Sequence, residues 1–91
     1  MATIEAHASA LREMGVERIG VFGLAARGEA DAASDIDILV KLADVSFRNF
    51  MRLKHALEDL LGRPVDLVLE ESLRDEVRST VLNEVIYAKG F

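Results

Sequence analysis

Apolar residues recur along this chain at two spacings, one typical of amphipathic helices and one typical of buried strands. At the helical spacing, Ile4, Ala8 and Leu11 share a stripe that Thr3 can cap and that stops at Gly15. An alanine-rich stretch and two later apolar stripes predict further helices. The predicted helices cover residues 3–14, 24–33 and 46–61, and a last helix opens at Ser72-Leu73-Arg74-Asp75, which resembles a capping box.

Three short runs are dense in β-branched and aliphatic residues, the composition of buried strands. They are residues 16–22, 36–42 and 65–69. Helices and strands therefore alternate in the order αβαβαβα, which indicates the α/β (α+β) class. Because 91 residues support one modest hydrophobic core, we expect a single domain over residues 1–91.

Composition narrows the range of partners. The formal net charge is −5 and the 11 Lys and Arg residues are scattered, so direct binding of nucleic acid by phosphate neutralisation is not expected. The lack of cysteine excludes a disulfide framework and a zinc thiolate site, and no apolar stretch is long enough to span a bilayer. We therefore expect a cytoplasmic protein that acts away from membranes.

Three aspartates lie where sheet packing does not require an acid. Side chains two apart on a strand point to the same face, so Asp35 and Asp37 face the same way while Ile36 and Ile38 take the core side. Adjacent carboxylates repel each other and usually keep their charge by binding a cation, for which Mg²⁺ is the natural candidate. Asp66, on the third strand, would complete the cluster if that strand lies beside the second. Such a cluster suits two-metal phosphoryl or nucleotidyl transfer.

Gly23 indicates where a phosphate would bind. A strand that ends in glycine before a helix start lets backbone N–H groups approach an anion at the positive end of that helix. Each signal alone also has a simpler explanation, because an isolated Asp-x-Asp is most often a solvated strand end, and Glu29 and Asp31 form a second acidic pair. Arg27 could contact phosphate or tie its loop to one of those two acids.

In combination, these residues resemble a known family. The ordered signature is Gly23-Leu24-Ala25-Ala26-Arg27-Gly28-Glu29-Ala30, then Ser34-Asp35-Ile36-Asp37, then Asp66. It is similar to the signature of the minimal nucleotidyltransferases of the DNA polymerase β superfamily, which is Gly-Ser-x-Ala-Arg-Gly-x-Ala, Ser-Asp-x-Asp and a distant Asp. The resemblance extends over essentially the whole chain and implies a polymerase-β-like fold, with a small mixed sheet packed against helices.

The resemblance also implies a role for each matching position. The positions at the nucleotide are Gly23, Leu24, Arg27 and Ser34. The positions for metal binding and catalysis are Asp35, Asp37 and Asp66, the last assisting the acceptor hydroxyl. Leu24 departs from the pattern, since the family has a phosphate-binding serine there, and a hydrogen bond to a charged group is worth roughly 1.5–3 kcal/mol.

The implied activity is transfer of AMP from ATP to a hydroxyl, with two Mg²⁺ ions and release of pyrophosphate. Similar proteins often act as antitoxins of an all-helical HEPN-type toxin, in some cases by adenylylating a tyrosine on it, so we expect such a partner and a hetero-oligomer. Two alternatives remain. In the first, Leu24 marks a decayed site and the domain neutralises its partner by binding alone. In the second, the chain is a subunit that modifies a small molecule such as an aminoglycoside.

Overall fold

The computed structural model describes residues 2–23, 26–28 and 35–91, which form a four-stranded sheet and its helices. The strands are β1 (Val16–Phe22), β2 (Ile36–Leu42), β3 (Val65–Leu69) and β4 (Ile86–Tyr87). The α-helices are α1 (Ala2–Ala6), α2 (Ala8–Glu13), α3 (Phe47–Leu61) and α4 (Asp75–Glu84), and Glu70–Ser72 forms a 3-10 helix. The first three strands have the bounds predicted from the sequence.

The strands lie in the order β3-β2-β1-β4. β1 pairs antiparallel with both β2 and β4, whereas β2 pairs in parallel with β3. The sheet is therefore mixed, as the family resemblance implied. α3 makes the crossover between the two parallel strands, which a tight hairpin cannot join.

One face of the sheet forms the main hydrophobic core with the helices. Ile19, Ile38 and Val40 point to this face because side chains alternate along β1 and β2, and all three are fully buried. They meet Leu53 and Leu57 of α3. Burial of each such side chain stabilises the fold by about 1.5–3 kcal/mol relative to leaving it exposed. The core therefore stabilises the sheet, and the other face of that sheet carries the acids.

Capping residues define both ends of α3. The hydroxyl of Ser46, the predicted N-cap, accepts a hydrogen bond from the backbone N–H of Asn49 (3.3 Å). Gly62 ends the helix in the left-handed conformation (φ 66°), which glycine adopts without steric cost. The side chain of the buried Asn49 also donates to the backbone oxygens of Met14 and Asp44 (3.0 and 2.9 Å). These bonds attach the start of α3 to the segments just before β1 and just after β2.

The opposite face of the sheet carries the acids and is partly covered by the C-terminal part of the chain. Gly20 of β1 leaves no room for a side chain, since a Cβ there would lie 2.7 Å from the backbone oxygen of Ile86 and 2.8 Å from Cγ2 of Val85. A glycine at this position therefore allows β4 to approach and pair with β1.

A polar cluster fastens the C-terminal part to the same face. The guanidinium of Arg18 donates two hydrogen bonds to Glu70 (2.9 and 2.8 Å) and lies 5.2 Å from the centre of the Tyr87 ring. Burial, followed by the charge of Glu70, raises the pKa of Tyr87. β1, the 3-10 helix and β4 are thus joined by one set of contacts.

The predicted N-terminal helix is broken in the structure. α1 ends at Ala6 and α2 begins at Ala8, with His7 between them at φ −109° and ψ 18°. The His7 ring Nδ1 lies 2.9 Å from the backbone oxygen of Thr3, so the ring contacts the helix backbone at the break. Thr3 lies inside α1, and its predicted role as N-cap is wrong.

The C-terminal helix begins later than predicted, at Asp75. Its N-cap is Arg74, which makes no side-chain capping bond, and Ser72 belongs to the 3-10 helix, so the capping-box prediction is wrong. The helix ends at Glu84 because Val85 is extended and the next two residues pair with β1. β4 was not predicted.

The predicted helix at residues 24–33 lies mostly outside the described residues. Within it, residues 26–28 form a turn, and Gly28 has a φ of 72°. In the described ranges, no helix combines the length and the apolar character needed to cross a membrane.

Candidate active site

Asp37 and Asp66 occupy directly opposite positions on the parallel strands β2 and β3. Both lie on the face away from the main core, because Ile38 and Leu67, the next residues on each strand, point into it. Burial raises the pKa of Asp37, and the charge of Asp66, a hydrogen bond between the two carboxyl groups and the charge of Asp35 raise it further. Backbone register thus holds two acids together where a second negative charge is disfavoured.

Asp35 lies just before β2 and is exposed. Its charge adds to the repulsion at Asp37, so it is a neighbour of the pair. In the part of the chain that the structure describes, no three His, Cys, Asp or Glu side chains are grouped so that they could hold a metal ion. The structure therefore brings Asp37 and Asp66 together, with Asp35 beside them, and the role of the three as metal ligands stays a prediction.

Gly23 follows β1 and lies against the Asp37 carboxylate. Its φ is 66°, and a Cβ at this position would be 2.6 Å from Oδ2 of Asp37. Glycine is needed on two grounds, because other residues rarely adopt this backbone conformation and because a side chain would displace the acid. The end of β1 and the acid pair form one continuous surface.

Arg27 closes the turn that begins at Gly23. Its backbone N–H donates to the backbone oxygen of Gly23 (3.2 Å), and its Nη1 donates to Oε1 of Glu84 at the end of α4 (3.0 Å). We call residues 23 and 26–28 the Gly23 turn. Leu24 and Ser34, the other two positions assigned to the nucleotide, lie outside the described residues.

Glu84 was not identified from the sequence as a site residue. Its contact with Arg27 joins residues 57 positions apart, and neither periodicity nor a motif indicates such a contact. One signal was available: a carboxylate in the last turn of a helix faces the negative end of the helix dipole, an unfavourable place for it. A nearby cation offsets this unfavourable interaction, and the guanidinium of Arg27 provides it.

The chemistry of the acid pair fits a divalent cation. The donors are carboxylate oxygens, the type that Mg²⁺ prefers, and a cation would remove the repulsion that raises the pKa of Asp37. The Gly23 turn adjoins the pair and carries the guanidinium of Arg27. A cation and a polyphosphate could therefore be bound side by side.

Comparison with known proteins gives the class of protein that this fold and site define. The model of the nucleotidyltransferase domain family matches residues 4–88, so the chain belongs to that family. The polymerase-β-like fold and the enzyme class implied by the signature are both confirmed.

Within this family, the relatives show that the chain belongs with the minimal nucleotidyltransferases. The chain is similar to the protein adenylyltransferase MntA of Thermococcus cleftensis, with 49% identity over 86 residues, 92% of this chain and 87% of that protein. It is also similar to the solved structure of a minimal nucleotidyltransferase, with 44% identity, a TM-score of 0.82 and coverage of 93% of this chain and 88% of that one. A toxin–antitoxin complex crystallised with AMP-PNP is 26% identical, with a TM-score of 0.78 and coverage of 100% of this chain and 75% of that one.

Proposed function

We propose that this protein is a Mg²⁺-dependent adenylyltransferase that transfers AMP from ATP to a hydroxyl group of a HEPN-type toxin and acts as its antitoxin. The observation that carries the proposal is the pairing of Asp37 with Asp66 in direct register, with Gly23 packed on the Asp37 carboxylate. This arrangement supports the proposal, because carboxylate oxygens of the type that bind Mg²⁺ lie beside a glycine turn of the type that binds phosphates, and transfer from a nucleoside triphosphate requires both.

Each residue of the site has a defined part in this reaction. The backbone of Gly23 and the guanidinium of Arg27 bind and orient the phosphates, together with Ser34. Asp37 and Asp66 would hold Mg²⁺, with Asp35 as the third carboxylate beside them, and the bound ion would supply positive charge to the triphosphate. Asp66 accepts the proton of the acceptor hydroxyl as the oxygen forms a bond to the α-phosphorus, and the bond from that phosphorus to pyrophosphate breaks.

The choice of a protein acceptor rests on the relatives. The Thermococcus cleftensis relative is named a protein adenylyltransferase, and a structural relative is a toxin–antitoxin complex that contains an ATP analogue. We therefore propose a hetero-oligomer with the toxin.

The direct test is transfer of label. We expect the chain, incubated with Mg²⁺, the HEPN-type protein and ATP labelled on its α-phosphate, to place label on that protein. The Asp66→Asn variant should bind the same protein but transfer no label, because the hydroxyl proton loses its acceptor. Label on the toxin at the parental rate with Asp66→Asn would contradict the mechanism, and no label with the parent would contradict the activity.

A second candidate function is neutralisation by binding alone. Two observations favour it: Leu24 replaces the hydroxyl of the family signature, and apolar side chains stay exposed near the end of the chain. The latter are Val77, Leu82 and Ile86, which are 45%, 40% and 49% exposed.

Leu24→Ser separates the two functions. For a weakened enzyme, the restored hydroxyl should tighten nucleotide binding by about tenfold for each 1.4 kcal/mol regained, with transfer rising in parallel and affinity for the toxin unchanged. If neither the parent nor Leu24→Ser transfers label while both bind the toxin tightly, the binding module is the correct function.

A further inference from the structure

We propose that Glu84 is a positioning residue for the nucleotide, which acts by holding the guanidinium of Arg27 at the Gly23 turn. The inference rests on the proposed function, in which Arg27 contacts the phosphates. It extends the site to α4, an element that the family signature does not include.

The first ground is the path of contacts from Glu84 to the acid pair. Oε1 of Glu84 accepts from Nη1 of Arg27 at 3.0 Å, and the backbone N–H of Arg27 donates to the oxygen of Gly23 at 3.2 Å. Gly23 in turn leaves no space for a Cβ beside the Asp37 carboxylate. The orientation of Arg27 is thus fixed relative to the acids from two directions, by its backbone and by Glu84.

The second ground is that Glu84 is itself firmly placed. Glu84 is the last residue of α4, and the residues that follow it are held on β1. The side chain of Val85 occupies the position that a Cβ on Gly20 would need, and Ile86–Tyr87 pairs with β1. β1 is a central strand of the sheet. The backbone next to Glu84 is therefore held on a central strand of the sheet, whereas Arg27 lies in an exposed turn.

The third ground is that stability does not explain the pair. The side chains of Arg27 and Glu84 are 45% and 34% exposed, and ion pairs of that kind contribute little to folding. A carboxylate at the negative end of a helix is also disfavoured locally. Restricting an arginine before the nucleotide arrives has a separate benefit, because the rotamer entropy lost on binding is then smaller.

The test is calorimetric titration of Mg²⁺-ATP into the parent, Glu84→Ala, Glu84→Gln, Arg27→Ala and the double variant Arg27→Ala/Glu84→Ala. Glu84→Ala should weaken binding by about threefold to tenfold, whereas Glu84→Gln, which keeps an oxygen acceptor, should stay within about twofold of the parent. In the Arg27→Ala background, Glu84→Ala should have no further effect. Glu76→Ala, an exposed glutamate on the same helix, is the matched control and should bind as the parent does.

Unfolding midpoints of all variants verify that each is folded. The inference is overturned if Glu84→Ala binds as tightly as the parent or more tightly, since the carboxylate would then have no part in binding or would compete with phosphate. It is also overturned if the effects of the two single variants add in the double variant, because Glu84 would then act without Arg27. Failure of the parent itself to bind Mg²⁺-ATP would contradict the proposed function and this inference together, whereas parental binding that is insensitive to Glu84 contradicts this inference alone.

Discussion

At the scale of single residues, the site contains two opposing tendencies. Backbone register places Asp37 against Asp66, whereas burial and the charge of Asp66 raise the pKa of Asp37 and so disfavour its ionised form. Like charges directly opposite each other on neighbouring strands destabilise a sheet. In the absence of a cation, the pair therefore costs the protein stability, and this cost is measurable.

Asp37→Asn should stabilise the protein in the absence of divalent cations, because it removes the repulsion with little change in volume. We expect a gain of about 1 kcal/mol, which raises the unfolding midpoint by about 4–8 °C for a domain of this size. The same change should abolish Mg²⁺-dependent binding of ATP. Thermal unfolding in EDTA and in Mg²⁺, with calorimetric titration, checks both. Asp59→Asn, at an exposed position on α3, is the control, and a less stable Asp37→Asn protein in EDTA would contradict the electrostatic argument.

Gly23→Ala tests the contact between the turn and the acid. At Gly23 an alanine would suffer both the positive φ and the clash with Oδ2 of Asp37, whereas Gly62 has the same φ of 66° with no atom within 4 Å of a Cβ. Gly62→Ala should therefore cost about 1–2 kcal/mol from backbone strain, and Gly23→Ala should cost more and also lose ATP binding. Denaturant unfolding of both variants measures the difference. Equal losses of stability would show that the carboxylate moves aside freely.

Sequence alone predicted part of this site and omitted part. Strand alternation put Asp35 and Asp37 on one face, and the composition of three strand-like runs marked Asp66 as out of place. The direct pairing of Asp37 with Asp66 required the strand order, and the contact of Glu84 with Arg27 required the fold of the last third of the chain. Such long-range contacts have no local signal.

At the scale of elements, local signals located those with strong patterns. The composition of the three longer strands and the capping residues of α3 predict where these elements begin and end, and the structure confirms these bounds. β4 has two residues, and Val85 before it continues the apolar stripe of α4, so the sequence favours a longer helix there. Pairing with β1, made possible by Gly20, decides the conformation instead.

Glu58 shows how one element aligns another. Its Oε2 accepts from Lys54 (2.9 Å) and from the backbone N–H of Val65 (3.0 Å), the first residue of β3. The hydrogen bond from Lys54, followed by that from Val65, lowers the pKa of Glu58. A helix side chain thus holds the start of the strand that carries Asp66.

The contribution of Glu58 to stability should depend on pH. Because its pKa is lower in the folded than in the unfolded state, the ionised group stabilises the fold above the unfolded pKa, about 4.3. That contribution is lost as pH falls through the folded-state pKa. Glu58→Gln should therefore be less stable than the parent at pH 7, with the difference shrinking below about pH 4.3. Urea unfolding across this range measures it, with Asp59→Asn as the control. A difference independent of pH would assign the effect to packing.

At the scale of the whole molecule, the sheet order explains why the two acids meet at all. Parallel pairing of β2 with β3 depends on the crossover through α3, and β1 must lie on the other side of β2. The alternation of elements in the sequence indicates the class of the fold but does not determine this order. The family resemblance went further than the alternation, because it implied a small mixed sheet.

The position of β3 has a consequence for motion. Among the described residues, β3 has a hydrogen-bonded neighbour on one side, so its pairing with β2 can open locally while β1 and β2 stay paired. Each such opening would separate Asp66 from Asp37, and a ligand that needs both acids would bind only the closed form. A ligand that needs both acids should slow amide hydrogen exchange in β3, by about 100-fold at 100 times its Kd, and leave exchange between β1 and β2 unchanged. Exchange rates with and without Mg²⁺-ATP would then report occupancy of the site, through the closing of a strand rather than the appearance of product.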